Sequence, residues 1–445
     1  MQNKLKSMAT ATLACSFLVA VAPLCSAKKT LTWFMDTTAA WKTLATRFEK
    51  QNPGVRVQLI YGNQDKFYTM ITAGLMPDVW GPWGTVGMKA DVNRNWALDL
   101  SPYIVRDGKS MDIADFFPGL MREFRVNGKF YSLPIFSYVD YYFYNTDMYA
   151  QAGLAPPPTD ASDKSWNWDR MVLNAQKMTK ATGDKLTVAG VDFARAFGPF
   201  PNWYHLWGAK LYSKETLASS VPQTMDFDSK EMVTAFTKVW ELIYKYNVAR
   251  PAAGGFDTGK VASNIDWGWS IGGCMMNSKL KWAIAPLPWA VTNSGTLWPD
   301  GWRIGKVSKN RELAWTFVKF LCSKESMQLL ATEKKWPYTG SPLARKSLFS
   351  EYLGRNIGRA TGMDPAVVYD VHAQGDEVGV VKYGETVCLH VDLSADVEAI
   401  LNRMFANKLS PTQTAQQLQS KVDKALPILF KRWLRNIEFS GAEKR

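Results

Sequence analysis

Apolar and polar positions along the chain alternate between the strand period and the helix period. Thr30–Met35 is a short apolar run that predicts a strand. Ala39–Asn52 sets Trp41, Leu44, Ala45 and Phe48 on one helical face, and Asn52-Pro53-Gly54 stops it. Val55–Ile60 alternates as a second strand, Lys66–Ala73 is helical up to Gly74, and Pro77-Asp78-Val79-Trp80 opens a third strand. This βαβαβ rhythm implies a largely parallel sheet covered by helices. Ligands of such sheets sit at the carboxyl ends of strands. Asp36-Thr37-Thr38, Gly62-Asn63-Gln64-Asp65 and Gly81-Pro82-Trp83-Gly84 all fall there.

Lys129–Tyr144 reads as one long aromatic strand with little room for a turn, suited to crossing from one lobe to another. After the Pro156–Pro158 loop, Trp168–Thr179 is a helix, and Asp228 or Ser229 caps another that runs to Tyr246. Trp282–Pro288 is a strand candidate. Glu312–Cys322 with Glu325–Glu333, and Val391–Asn407 with Pro411–Leu426, read as helical pairs. There is no internal repeat and no low-complexity linker, so two lobes joined by several strands are expected.

Residues 1–27 read as an export signal. Lys4 and Lys6 form a positive start, Met8–Leu24 is apolar, and Cys25-Ser26-Ala27 suits cleavage after Ala27. Lipid attachment at Cys25 or Cys15 is the alternative, but Leu24 and Pro23 before Cys25 fit a lipoprotein signal poorly. A periplasmic or extracellular address follows. The 418 residues from Lys28 onward suit two domains. Cys274, Cys322 and Cys388 are odd in number, show no C-x-x-C spacing and read as small buried residues. The net charge of +13, or +11 without Lys4 and Lys6, reads first as a solvated basic surface, with acidic surfaces such as anionic headgroups as the alternative partner. Its even spread and the export signal exclude nucleic acid as a partner.

Several short segments in order look familiar. Phe48–Val55, Ala73-Gly74-Leu75-Met76-Pro77-Asp78-Val79, Asn127–Pro134 and Tyr144-Asn145-Thr146-Asp147-Met148 are four of them. Ala152-Gly153-Leu154 with Pro157-Pro158, Leu313–Leu321 and Met404–Leu426 complete the set over roughly residues 30–430. Together they resemble the family 1 extracellular solute-binding proteins. The resemblance implies a type II periplasmic-binding-protein fold, in which two α/β lobes joined by crossing hinge strands close on a ligand. It places lobe 1 at 28–140 with 299–340 and lobe 2 at 141–298 with 341–445. It further implies a monomer without cofactor or metal that passes a mono- or oligosaccharide to the permease of an ABC importer. Some relatives take other polar or phosphorylated solutes.

A sugar offers hydroxyls and an apolar C–H face, so carboxylates or amides beside aromatic planes suit it. The chain carries 19 tryptophans, many beside Gly, Asp or Asn. The candidate ligand residues are Asp36 and Thr37 after the first strand, then Asp78, Trp80 and Trp83. Tyr138 and Asp140 lie on the crossing strand, and Trp203 and Trp207 near Gly208. Trp267 and Trp269 belong to Asp266-Trp267-Gly268-Trp269-Ser270, which resembles the family's aromatic ligand segment. Gly301, Trp302 and Tyr338 complete the set. Asp78 has an alternative role in capping local backbone, and any of the tryptophans has one in packing. Trp33, Trp240 and Trp315 lie within predicted elements and are expected in the core.

Two literal motifs point to enzymes and fail in context. Gly268-Trp269-Ser270-Ile271-Gly272 matches a nucleophile elbow, with Asp370 and His372 or His390 as partners, yet it overlaps the aromatic segment. Gly254 to Gly259-Lys260 spells a phosphate loop, but Val261 replaces the magnesium-binding hydroxyl. The three histidines lack metal-ligand spacing. A secreted carbohydrate-active hydrolase stands as the alternative class, with Asp36 and Asp140 as conceivable acid and base.

Overall fold

In the computed structural model, which describes residues 27–35, 39–81, 88–193, 203–212, 224–293, 295–332, 343–348, 381–382 and 387–442, the opening elements form in the expected order. They are β1 (Lys29–Met35), α1 (Ala39–Gln51), β2 (Val55–Tyr61), α2 (Gln64–Thr72) and β3 (Val79–Trp80). Short helices α3 (Met88–Asn93), α4 (Ser101–Asp107) and α5 (Pro118–Glu123) lead to β4 (Arg125–Val126), β5 (Lys129–Phe130) and β6 (Leu133–Asn145). Next come α6 (Thr146–Gln151), α7 (Trp168–Met178), β7 (Lys180–Thr182), β8 (Lys185–Val188), β9 (Asp192–Phe193) and α8 (Lys230–Tyr244). β10 (Ser263–Trp267), α9 (Ser270–Met276), β11 (Trp282–Ala285), β12 (Thr296–Ile304), α10 (Arg311–Leu321) and α11 (Lys324–Thr332) follow. Last are β13 (Val381–Lys382), α12 (Val387–Phe405) and α13 (Pro411–Ala442).

Two expectations change. The aromatic run from Lys129 divides because Asn127 and Gly128 take positive φ values of 50° and 78° and fold β5 back onto β4. The crossing strand therefore starts at Leu133. The last helix runs past Leu426 to Ala442 with Pro427 inside it, so the proline removes one backbone donor without ending the helix.

The main sheet has the order β2-β1-β3-β12-β6-β10-β9, with β11 also on β6 and β13 on β12. β1 pairs in parallel with β2 and β3, as the βαβαβ pattern requires. β12 returns antiparallel to both β3 and β6. Along β6, pairing with β12 ends at Val139, opposite Leu297, and pairing with β10 begins at Asp140, opposite Trp267. β11 takes an edge of β6 from Tyr142 to Asn145. All 13 residues of β6 are buried.

The core beside β1 is aromatic. Trp33, Trp41 and Trp302 meet edge to face with centroids 5.2–5.7 Å apart, and each is fully buried. Phe317 of α10 joins Trp33 and Phe48 at 4.8 Å. Trp315 is also fully buried, as expected, whereas Trp240 is only partly covered and donates to Asn407 Oδ1 at 3.2 Å.

Residues 343–348 stay with this same set of elements. Ala344 N donates to Ile135 O, and Arg345 reaches Cys322 O and Met111 O at 2.9 Å each. The chain is thus still attached to α5, β6 and α10 beyond the expected boundary at residue 340. The buried Arg345 guanidinium answers the Cys322 carbonyl at the end of α10 and those of Met111 and Asp112 between α4 and α5, so the stretch is pinned by polar contacts that its hydrophobicity does not announce.

β12 carries a bulge between Asp300 and Gly301. A Cβ at Gly301 would lie 2.6 Å from both Leu133 O and Ser132 Oγ and 2.7 Å from Phe124 Cζ. Its lack of a side chain therefore lets the two crossing strands meet. Gly301→Ala is expected to cost about 1–3 kcal/mol through overpacking, read as a lower urea midpoint. An unchanged midpoint would show that the strands are free to part there.

Candidate functional site

The point where β6 exchanges β12 for β10 collects aromatic and acidic side chains. Gly268 N donates to Val139 O at 2.8 Å, which brings the turn after β10 against the middle of β6. Trp267 and Trp269 stack at 4.7 Å with their planes 23° apart. Tyr138 meets Trp269 edge to face at 5.6 Å and lies 5.7 Å from Phe136. Asp140, one residue beyond the exchange, is 1% exposed. Gly295 gives it room, since a Cβ there would sit 2.8 Å from Asp140 Oδ2. The phenols of Tyr141 and Tyr204 are driven well above the usual range, chiefly by burial and further by the Asp140 charge.

The tryptophan pair is held from behind by Asp266. Its Oδ1 accepts from Trp267 N at 2.8 Å, and its Oδ2 accepts from Ser270 Oγ at 2.8 Å and Asn264 Nδ2 at 3.1 Å. The turn is thereby fixed at both ends. Burial pushes the Asp266 carboxyl up to about 6, helped by the charge of Asp192 and opposed by these hydrogen bonds.

A strand, a turn and a helix do surround Ser270, as a nucleophile elbow requires, but the hydroxyl donates to Asp266. Partners His372 and Asp370 lie outside the described residues, as does the side chain of His390. The Gly254–Lys260 loop runs on through Val261 into β10, not into a helix, and Gly254 N donates to Asp192 Oδ2 at 2.6 Å. It therefore lacks the helix start that a phosphate loop uses.

Of the candidate ligand residues, Tyr138, Asp140, Trp267 and Trp269 come together here. Gly301 and Trp302 lie lower on β12, opposite Pro134 and Leu133. Trp302 faces Trp33 and Trp41 in the core, and Trp80 is fully buried with its Nε1 donating to Asp91 Oδ2 at 3.3 Å. Trp203 packs on Phe193 and Phe236, and Trp207 on Trp168 with Lys238 Nζ 5.5 Å from its ring centroid. Both sit against helix α8, Trp203 fully buried and Trp207 partly so. Asp78 ties β3 to β1, accepting from Thr32 N at 2.8 Å and Thr32 Oγ1 at 2.9 Å, and it also receives Ser308 Oγ. That is the local backbone role open to it, at the edge away from the strand carboxyl ends. Asp36, Thr37, Trp83 and Tyr338 lie outside the described residues. The strands leading to the first three, β1 and β3, end toward one edge of the sheet.

Sequence reasoning passed over Gly295, and it used Asp266 only as part of a motif. It also missed a buried pair, Asp91 and Arg303, with Arg303 Nε 3.7 Å from Asp91 Oδ2. Burial lifts Asp91 to about 6 against the pull of Arg303 and Arg94, and depresses Arg303. This pair joins α3 and β12 behind Trp80. Gly295 had a faint signal, a glycine two residues after an asparagine just ahead of a strand; the ion pair had none.

With this geometry in place, the similarities to known proteins are specific. A family model described as bacterial extracellular solute-binding protein matches residues 34–328. A putative binding protein of Brucella abortus is 24% identical over 298 residues, 62% of this chain and 67% of its own length. An ABC substrate-binding protein from Listeria monocytogenes in complex with cycloalternan superposes with a TM-score of 0.71 at 19% identity, over 90% of this chain and 99% of that one. The sugar-binding protein MalE from Xanthomonas citri gives 0.70 at 19% identity, covering 91% and 99%. A maltose-bound MalE3 of T. maritima gives 0.68 at 18% identity, covering 89% and 99%. The fold is therefore the type II periplasmic-binding architecture that the sequence led one to expect.

A carboxyl with a raised folded pKa adds stability while protonated and loses it as pH climbs. The Asp266 contribution is thus complete below about pH 4 and lost as pH rises through about 6. Urea unfolding of the wild type and Asp266→Asn across that window is expected to show the wild type losing stability relative to the variant as pH increases. A constant difference between them would contradict the raised carboxyl.

Proposed function

This chain belongs to the bacterial extracellular solute-binding proteins, and we propose that the solute it captures is a mono- or oligosaccharide. It leaves that carbohydrate unchanged and hands it to the permease of an ABC importer. The observation that carries the proposal is the Tyr138–Trp267–Trp269 set beside Asp140 on the strand shared by both halves of the sheet. Aromatic planes suit the C–H face of a sugar and a buried carboxylate its hydroxyls. The bound cycloalternan and maltose named for similar structures give the same chemical direction.

In this proposal Asp36, Thr37, Trp83 and Tyr338 join from loops facing the same cleft. Lobe 1 comprises 28–140 and 299 onward through the pinned stretch at 343–348, and lobe 2 comprises 141–298 and the final helices. Both proposed crossings fall inside strands, β6 and β12. A ligand touching both lobes favours the closed arrangement by the contacts it makes only there. Cleavage after Ala27 releases the chain to the outside of the cytoplasm. Among the described residues no helix is long and apolar enough to cross a membrane.

Calorimetry against a carbohydrate panel is expected to find at least one binder. Trp269→Ala is expected to weaken it by about 2 kcal/mol, roughly thirtyfold. A panel without any binder would remove the carbohydrate class and leave another polar or phosphorylated solute. Incubated oligosaccharides are expected to be recovered intact by chromatography. Turnover that disappears in Ser270→Ala or Asp140→Asn would instead establish the hydrolase alternative.

A further inference from the structure

The edge of the sheet away from the strand carboxyl ends has a chemistry of its own. β1, β2 and β3 are parallel, so their first residues share this edge, and the antiparallel β12 delivers the chain after Ile304 to it. Lys29 N donates to Gly54 O at 2.9 Å, Gly305 N to Asp78 O at 2.9 Å and Asn310 Nδ2 to Thr30 O at 3.1 Å, which knits these ends into one surface. Lys28, Lys29, Arg56, Lys309 and Arg311 are all exposed there. Lys29, Lys309 and Arg311 line a shallow depression of about 430 Å³.

Three carboxylates lie nearby, and Glu312 also lines the depression. Asp78 accepts from Thr32, Glu49 accepts from Val57 N at 2.7 Å, and Glu312 pairs with Arg106 at 3.1 Å. Two aliphatic side chains stand out beside the cations, Leu75 at 62% and Val307 at 68% exposure. Met76, next to Leu75, lies under the loop that carries Val307, 3.4 Å from a Cβ placed on Gly305. Lys28, the first residue after the expected cleavage site, directly precedes β1 at this same edge.

We propose that this edge rests on an anionic lipid surface. The cations meet headgroup phosphates, while Leu75 and Val307 enter the interfacial layer, the pairing of charge and apolar surface that favours shallow membrane contact. The carboxyl ends of β1, β2 and β3 then lie on the side away from the bilayer. The surface is independent of what solute the chain binds. A lipid on Cys25 would hold this same edge at the membrane, whereas a chain cleaved after Ala27 relies on the surface itself.

The test uses the full chain from Lys28 and sedimentation with phosphatidylglycerol-containing or pure phosphatidylcholine vesicles at low and high salt. Wild type is expected to bind only the anionic vesicles, and only at low salt. The triple variant Lys29→Glu, Lys309→Glu, Arg311→Glu is expected to bind at least about a hundredfold more weakly, at about fivefold for each cation removed near a lipid surface. A control triple, Lys177→Glu, Lys185→Glu, Lys230→Glu, carries the same charge change elsewhere and is expected to bind like wild type. If the patch triple does not fold, judged by its melting transition, Lys309→Glu alone is expected to show a several-fold loss. Equal losses in both triples, equal binding to neutral vesicles, or no vesicle binding at low salt would each overturn the proposal. Capture by permease proteoliposomes of neutral lipid alone would do the same, and would assign the edge to a protein partner.

Discussion

A strand buried along its whole length constrains everything around it. β6 has no exposed residue over 13 positions, so both faces must be covered and its backbone donors and acceptors must be paired within the protein. β12 supplies the pairing over the first part, β10 and β11 over the second, and Ala344 closes on Ile135 O. The two halves of the sheet are thus parts of one hydrogen-bonded ladder, not beads on a tether. A polar side chain on such a strand is costly unless it is answered. Asp140 sits where the partners change, so whatever answers its carboxylate is close to both halves at once.

The tryptophans divide along the same line. Trp33, Trp41 and Trp302 fill the space between β1, α1 and β12, and among the described residues the indole N–H groups of Trp33 and Trp302 have no acceptor. Ring area removed from water, about 150–250 Å² per aromatic side chain, holds this cluster together. The Asp91–Arg303 pair stiffens the same region from the other side of Trp80. Trp267 and Trp269 differ: a carboxylate grips their turn, and Trp269 retains partial exposure. A rigid interior and a clamped aromatic turn suit lobes that move as bodies about β6 and β12.

Much of the fold was legible because the periodicities are strong. Asn52-Pro53-Gly54 ended α1, Ser229 capped α8, and the parallel β1–β3 sheet followed from βαβαβ alone. The split at Tyr131 was hidden because composition favours strand on both sides, and only the positive φ values at Asn127 and Gly128 reveal the hairpin. For the site, Asp-Trp-Gly-Trp-Ser was readable as a motif. Which neighbours a given tryptophan meets was not, since Trp302 and Trp267 have the same Gly and Asp company in sequence and are both buried, yet Trp302 packs on Trp33 and Trp41 while Trp267 stacks on Trp269. That difference is set by long-range register, Trp302 against Leu133 and Trp267 against Asp140. Buried ion pairs have no local signature at all.

The two proposed surfaces lie at opposite edges of the sheet, the strand carboxyl ends on one side and a basic, partly apolar edge on the other. Solute binding is proposed to close two rigid halves over the shared strand. Small-angle scattering, with and without a saturating carbohydrate binder, tests this directly. The bound state is expected to show a smaller radius of gyration with an unchanged far-ultraviolet circular dichroism spectrum. An identical radius at saturation, or compaction accompanied by altered secondary structure, would contradict it.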